Sequence, residues 1–439
     1  MRQTAASNNG QFRLKVVAGT RTVLMALDCD EARREGLLGF SFYRARQGAA
    51  NSGKWLRSQK VFKSLVPNPR KKVNGRPPVF TTADHPVQSF LWGDYTAEPG
   101  ATYEFRIVPA YGRPGALRHE ADDEITISVT TELENDPRGH GVWFNRGAIA
   151  SQHFAREFGD VEPSSQQLED LTQPVTKWLS RGLAEACLDF INEIPEGEGL
   201  RCCLYEFTYK PVLNALKAAI DRGVDVRICF HGTEVNRKAV AAAELRKKVG
   251  NVQVLFERTV PKIPHNKFMV RLDKRGQPQS IWTGSTNITS SGFLGQSNVG
   301  HRINRHPKLA AKFLEYWEAI SKNPKSFPSK EASTKVSPHP VEEPKEGSIT
   351  PVFSPRHTAG MLQWYANRMV DATQGVMFTA AFGVNEKFVL PLADDRDFLR
   401  FVLMEKRPKK DLEDRLRDDR DLVISYGSVL GEAAFIKDG

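Results

Sequence analysis

Leu200-Arg201-Cys202-Cys203-Leu204-Tyr205-Glu206-Phe207 is followed by Tyr209-Lys210-Pro211-Val212-Leu213-Asn214-Ala215-Leu216-Lys217-Ala218-Ala219-Ile220-Asp221-Arg222-Gly223, and then by Val224-Asp225-Val226-Arg227-Ile228-Cys229-Phe230. The first run is apolar and of strand length. Pro211 suits a first helical turn, where its missing N–H would be unpaired anyway. Val212, Leu213, Leu216 and Ile220 form one apolar stripe. Gly223 suits the left-handed position that ends a helix. Val224, Val226, Ile228 and Phe230 alternate with polar or small residues, as a strand does. Strand, helix and strand in this order predict an α/β sheet covered by helices.

The pattern extends both ways. Leu179, Leu183, Ala186, Cys187 and Ile191 lie at helical spacing and predict one helix over 177–194. A helix near 237–248 leads to a strand at 252–256. Residues 321–351 hold Pro324, Pro328, Pro338, Pro340, Pro344 and Pro351 among Ser, Thr, Lys and Glu, the composition of a linker. After it come a helix at 361–372, a strand at 376–382, an apolar stretch at 390–404 and a last strand at 422–426. This second stretch loosely repeats the first: 376–382 parallels 200–207, Arg400-Phe401-Val402-Leu403 parallels Arg227-Ile228-Cys229-Phe230, and 422–426 parallels 252–256. Upstream, residues 12–135 read as strands. Tyr103, Phe105 and Ile107 alternate with other residues, and so do Ile125, Ile127 and Val129. Turn signals such as Glu98-Pro99-Gly100 and Gly112-Arg113-Pro114-Gly115 separate them. The expected fold is multidomain: an all-β sandwich over 1–140, an α/β domain with a mixed sheet flanked by helices over 141–320, a Pro-rich linker at 321–351, and a partial second α/β half over 352–439.

The 439 residues are 40% hydrophobic and 26% charged, which excludes wholesale disorder. No apolar run is long enough to span a membrane. The first ten residues contain no apolar core of a secretory signal. Five cysteines, two of them adjacent (Cys202 and Cys203), make neither a disulfide framework nor a Cys-x-x-Cys metal site. A reducing compartment, the cytoplasm, is expected. The net charge of +10 comes from 62 Lys+Arg against 52 Asp+Glu. From Gly36 to Ala83 there is no acid, while Arg44, Arg46, Lys54, Arg57, Lys60, Lys63, Arg70, Lys71, Lys72 and Arg76 are basic. Without these ten, 52 basic residues stand against 52 acidic ones. The segment reads either as a docking surface for a polyanion or as a solvated, loop-rich surface.

Chemistry concentrates in Pro264-His265-Asn266-Lys267-Phe268-Met269-Val270-Arg271-Leu272-Asp273 and in Trp282-Thr283-Gly284-Ser285-Thr286-Asn287. His265 and Lys267 are two apart at the start of a strand, so they face one way. An imidazole beside an ammonium makes an anion site. The lysine supplies a point charge for phosphate oxygens. The histidine serves as acid, base or nucleophile near neutral pH. Gly284 permits close approach of backbone to a ligand. Ser285 and Asn287, again two apart, offer hydrogen-bond donors. Glu206 lies near a strand end, where sites of open α/β sheets gather. No residue cluster has metal-ligand spacing.

His-x-Lys followed by an Asp and then Gly-Ser-x-Asn resembles the signature of the phospholipase D superfamily, in its endonuclease-like branch. The resemblance covers about 145–320, with a fainter echo over 350–439. It implies a phosphodiesterase acting on a phospholipid or a nucleic acid through a phosphohistidine. It also implies that His265 is one of two active-site histidines, and that Lys267 and Asn287 hold the non-bridging oxygens. Ser285 would bind phosphate or support His265, Asp273 would support the site, and no metal or cofactor would be needed. The run Trp92-Gly93-Asp94-Tyr95-Thr96-Ala97-Glu98-Pro99-Gly100-Ala101-Thr102-Tyr103-Glu104-Phe105-Arg106-Ile107 resembles a fibronectin type III domain. Such domains bind or position rather than catalyse.

Two departures matter. Five residues, not the family's four, separate Lys267 from Asp273, so Asp273 matches only if the strand carries a bulge. His-x-Lys followed by Gly-Ser-x-Asn occurs once. Either a second triplet lies in a missing C-terminal part, or a homodimer brings two copies of His265 together. A nuclease-like binding or scaffolding protein without activity is the alternative reading.

Overall fold

The computed structural model describes residues 2–426 apart from 70, 72–77, 148–151, 160–161, 261, 340–344, 346, 381–382, 405–406, 408–409, 418 and 420. The chain begins with β1 (Arg2–Ala6), β2 (Phe12–Ala18), β3 (Val23–Cys29), β4 (Leu37–Arg46), β5 (Lys54–Trp55), β6 (Leu91–Asp94), β7 (Thr102–Arg113), β8 (Ala116–Arg118), β9 (Ile125–Thr130) and β10 (His140–Phe144). Then come α1 (Gln152–Phe158), α2 (Ser165–Glu169), α3 (Pro174–Ser180), α4 (Leu183–Asn192), β11 (Gly199–Leu204), α5 (Lys210–Asp221), β12 (Asp225–His231), α6 (Glu234–Ala242), β13 (Lys248–Val249), β14 (Val252–Gln253), β15 (Leu255–Arg258) and β16 (Lys267–Leu272). The last elements are β17 (Pro278–Gly284), β18 (Val299–Ile303), α7 (Pro307–Ile320), α8 (Ser326–Val336), α9 (Gly360–Val370), β19 (Val376–Ala380), α10 (Glu386–Ala393), β20 (Arg400–Met404), α11 (Lys410–Arg417) and β21 (Leu422–Tyr426). Two compact units result. One holds residues 1–193 and 279–306, the other 194–278 and 307–439.

In the first unit, β1–β2–β3–β6 form one antiparallel sheet and β5–β4–β7–β8 a second, with β9 also on β7. Strict alternation in β2 buries Phe12, Leu14, Val16 and Ala18 and exposes Arg13 and Lys15. The inward residues of both sheets form one core, with Phe42 stacked on Trp92 at 4.1 Å between ring centroids. Arg44, first in the acid-free stretch, is buried against Asp94 and lies over the Tyr103 ring. Further on, β18 pairs antiparallel with both β10 and β17. Trp282 packs against Trp143 and Phe190 and is buried. The single helix expected over 177–194 is two helices. Arg181 (φ 50°) and Gly182 (φ 90°) adopt left-handed backbone between α3 and α4, which no α-helix continues through.

The second unit carries the α/β pattern. Strands run in the order β16–β11–β12–β15; β11, β12 and β15 are parallel and β16 is antiparallel to β11. All six residues of β11 are buried, as a strand covered on both faces requires. Helix α5 buries Val212, Leu213, Leu216 and Ile220, the stripe read from the sequence. From α7, Trp317 Nε1 donates to the Cys202 carbonyl at 2.7 Å, and Phe313 packs on Phe268. The Pro-rich stretch 321–351 contains helix α8, where Ser333 Oγ reaches the Tyr316 hydroxyl and the Ser329 carbonyl. Prolines 328 and 338 fall in its first turn and beyond its end, so they do not interrupt it. Farther along, β19, β20 and β21 are parallel in that order, with Phe388, Leu392, Val402, Met404 and Leu416 in their core. Among the described residues, three adjacent parallel strands thus occur both in β11–β12–β15 and in β19–β20–β21, the stretches that the internal repeat relates.

Leu216 is fully buried on α5. Leu216→Ala should lower unfolding free energy by about 2–5 kcal/mol. Denaturant titration checks this; a loss below about 1 kcal/mol would mean that α5 does not pack on the sheet as described.

Candidate active site

The C-terminal ends of β11, β12 and β15 and the N-terminal end of β16 fall at one edge of their sheet, since Leu204 pairs with Phe230 and with Lys267, and His231 with Arg258. That edge carries Tyr205, Glu206, His231, Arg258, His265 and Lys267. Ligands of open α/β sheets bind at such an edge because the strands stop and their loops diverge there.

Tyr205 is the centre. Its ring stacks on His231 at 5.3 Å and 13°, and meets the His265 ring at 4.6 Å and 61°. Lys267 Nζ lies 5.3 Å from the Tyr205 centroid and donates to the His265 carbonyl at 3.1 Å. His265 and Lys267 therefore converge on one side chain, as their two-residue spacing implies.

The loops are held by buried polar groups. Asn236, 2% exposed, donates from Nδ2 to the Tyr205 carbonyl (2.9 Å) and to the His231 carbonyl (2.8 Å). Its Oδ1 accepts from Phe207 N at 2.9 Å. One amide thus joins the chain leaving β11 to the chain leaving β12. Arg258, also 2% exposed, donates from Nη1 to Asn266 Oδ1 at 2.8 Å. The middle residue of His265-Asn266-Lys267 is thereby anchored from below.

Electrostatics follow from burial and from neighbouring cations. Burial depresses the Lys267 ammonium to about 8, with Glu206 pulling the other way. His265 is lowered by burial and then by Lys267, again opposed by Glu206. His231 is lowered by burial and by Arg258. Both imidazoles are therefore neutral at pH 7, and a neutral imidazole nitrogen is the form that attacks or accepts a proton.

Asp273 lies elsewhere. The β16–β11 register is continuous over six pairs, from Leu204–Lys267 to Gly199–Leu272, so no bulge restores it to the family position. Asp273 follows the strand, at the end away from Lys267. Its Oδ1 accepts from Arg275 N (2.9 Å) and Gln277 N (2.8 Å), closing the turn after β16. Asp273 is thus placed in the turn after β16.

Ser285 and Asn287 belong to the first unit and are described there. Gly284 has φ +144°, and a Cβ on it would lie 2.1 Å from the Val299 carbonyl oxygen, so only glycine fits. Ser285 Oγ donates to Asn298 Oδ1 (2.8 Å) and accepts from Val299 N (3.1 Å). The one hydroxyl proton is therefore used within the protein. Asn298 donates to the Gly292 carbonyl, and Asn145 accepts from Asn298 N and donates to the Phe293 and Gln296 carbonyls. Asn287 is half-buried beside Gly292, where a Cβ would strike the Asn287 carbonyl oxygen at 2.3 Å.

Sequence reasoning assigned no role to Tyr205, His231, Asn236, Arg258 or Asn266. Their signal was position: Tyr205, His231 and Arg258 each close or follow a parallel strand. The pair His140 and His301 also went unassigned, and their ring nitrogens lie 2.8 Å apart. Among the described residues no group of three or more His, Cys, Asp or Glu is placed to hold a metal, and no helix is long and apolar enough to cross a membrane.

Residues 190–320 match the family described as cardiolipin synthase, PLD-like domain. That stretch, from the end of α4 through α7, is a phospholipase D-like domain. Similar solved structures include Nuc from Salmonella typhimurium, a phospholipase D family member, at 27% identity over 31% of this chain and 84% of that one, with a TM-score of 0.26. NucT from Helicobacter pylori is similar at 18% identity over 33% of this chain and 90% of that one, TM-score 0.28. Phosphatidylserine synthase from Haemophilus influenzae is similar at 11% identity over 56% of this chain and 70% of that one, TM-score 0.37. No curated protein matches the chain.

Two outcomes test this site. Asn236→Ala leaves Phe207 N and two carbonyls without their partner, and should cost about 1–3 kcal/mol. Asn236→Asp should be worse, because a carboxylate oxygen then faces two carbonyl oxygens; equal melting temperatures for the two variants would contradict the clamp. Second, the depressed Lys267 value means that between about pH 8 and 10.5 the unfolded chain holds a proton the folded chain has released. Lys267 should therefore make stability rise with pH across that window. In Lys267→Met this rise should vanish; an unchanged pH–stability curve would overturn the assignment.

Proposed function

We propose that this chain is a phosphoryl-transfer enzyme that cleaves a phosphodiester, with His265 as nucleophile. The observation that carries the reading is the convergence of His265 and Lys267 on Tyr205, at the sheet edge of a segment that matches the phospholipase D-like family. Neutral His265 attacks phosphorus through a ring nitrogen. A P–N bond forms as the P–O bond to the leaving alcohol breaks. Lys267 holds charge that develops on the non-bridging oxygens. The resemblance gives Asn287 the same oxygen-binding role and Ser285 a supporting one. The leaving oxygen takes a proton from a second acid, and water then breaks the P–N bond. In this family's scheme the second acid is the histidine of another His-x-Lys. Of the two His-x-Lys triplets in the 439 residues, only His265-Asn266-Lys267 is followed by Gly-Ser-x-Asn, while His306-Pro307-Lys308 is not, so the reading takes the second full motif from a second copy or a further polypeptide segment. The fibronectin type III-like reading of the N-terminal strands fits a positioning role. A cytoplasmic setting stays part of the proposal.

Two observations favour phosphoryl transfer over a passive scaffold. A buried Arg258 and a half-buried Lys267 cost stability, and a mere scaffold has no use for that expense. Both imidazoles are also kept neutral beside these cations.

His265→Ala should abolish release of nitrophenolate from bis(p-nitrophenyl) phosphate, and Lys267→Ala and Asn287→Ala should each slow it about 100-fold or more. The rate should fall only below the ordinary imidazole value of 6.5, since His265 is lowered, and should fall again near pH 8 as Lys267 loses its proton. Lys267→Arg should remove that alkaline limb, because a guanidinium stays charged. Undiminished turnover in His265→Ala would sink the reading.

A further inference from the structure

The acid-free stretch is sorted by the structure. Arg44 is buried against Asp94, and Arg46 pairs with Glu98. Arg70, Lys72 and Arg76 lie outside the described residues. The exposed remainder is Lys54, Arg57, Lys60, Lys63 and Lys71. Among the described residues none of these five makes an ion pair with an acid. Four recur at every third position, Lys54, Arg57, Lys60 and Lys63. Three residues of chain reach at most about 10 Å, so the four cations fall within about 30 Å of one another.

The segment that carries them is pinned. Leu56 N donates to the Phe42 carbonyl and Thr82 N to the Leu56 carbonyl, both at 2.8 Å. Arg57 bridges to Thr81, and Ser58 N donates to the Phe80 carbonyl at 3.0 Å. Phe62 N donates to Nδ1 of buried His85 at 3.3 Å. The next acid in the chain, Asp84, is hydrogen-bonded to Thr81 Oγ1. A pinned segment that carries four unpaired cations keeps their charges near one another and spares the backbone ordering cost on binding.

We propose that Lys54, Arg57, Lys60 and Lys63 form a docking strip for a nucleic-acid strand, which delivers a polymeric phosphodiester to the protein. The proposal rests on the phosphoryl-transfer reading and names its substrate class. A strand repeats phosphates at short intervals, so a pinned run of cations within about 30 Å engages several at once and releases their counterions. A lipid surface would instead require apolar side chains projecting among the cations. Here the interleaved apolar residues turn inward: Leu56 is buried, Trp55 packs on Tyr43, and Phe62 packs on His85. Exposed Leu65 lies against Gly115.

The test uses the full chain carrying His265→Ala, with and without Lys54→Ala, Arg57→Ala, Lys60→Ala and Lys63→Ala together. Fluorescence anisotropy is read with a labelled single-stranded oligonucleotide and a labelled duplex from low to moderate salt. The fourfold variant should bind at least about tenfold more weakly, and its slope of log affinity against log salt should be shallower by about 3 for a single strand. A Lys→Arg version at positions 54, 60 and 63 should bind as the parent does, which separates charge from misfolding. An unchanged salt slope would overturn the strip. So would loss of binding to phosphatidylglycerol vesicles with oligonucleotide binding intact, which assigns the strip to a membrane. On the His265 background, the small diester bis(p-nitrophenyl) phosphate distinguishes the two proposals. If His265 chains with and without the strip hydrolyse it equally, only docking is at issue; if neither hydrolyses it, the chemical reading fails on its own.

Discussion

One buried amide holds the candidate active site together. Asn236 stands at the start of α6, yet its side chain spends its two donors and its acceptor on the chain leaving β11 and the chain leaving β12. Parallel strands end in loops whose backbone groups have no ladder partners. Buried groups of that kind must be satisfied or they cost about as much as a lost hydrogen bond. Asn236 meets three of them at once. In doing so it sets Tyr205 beside His231, and the stacked pair becomes the surface against which His265 and Lys267 settle. The geometry of the reacting groups is thus inherited from the hydrogen-bonding needs of two strand ends.

The same region concentrates positive charge at a cost. Arg258 is buried with one hydrogen bond to Asn266, and Lys267 is partly stripped of water. Glu206 opposes the depression of both Lys267 and His265. An edge that holds imidazoles neutral while keeping a nearby ammonium charged up to about pH 8 is suited to an anion that must be both attacked and neutralised. Stability and function pull in opposite directions here, as at strained or desolvated functional sites generally.

Legibility along the chain varied for physical reasons. The apolar stripe of α5, its proline start and its glycine end are local, and they appear where the pattern places them. The break between α3 and α4 escaped periodicity because leucines continue in register across Arg181 and Gly182; left-handed backbone at two residues, not loss of apolar pattern, divides the helix. Helix α8 escaped composition because prolines tolerated at a helix start and past its end look like linker prolines. Asp273 was placed by spacing alone, and an unbroken strand register moved it into a turn.

By itself the sequence determined that His265 and Lys267 are two apart at the start of a strand, that Gly284 precedes Ser285-Thr286-Asn287, and that three strands separated by two helices precede this chemistry. Each is a property of neighbours in the chain, and period and spacing report neighbours. Only the tertiary structure decided that Tyr205, His231, Asn236 and Arg258 belong to the same cluster as His265. These residues are separated by up to 60 positions and come from three different strands and a helix. Nothing in local pattern encodes which strand ends lie side by side. That is set by the pairing of β11 with β12 and β16, and by which buried polar groups must be satisfied where those strands stop.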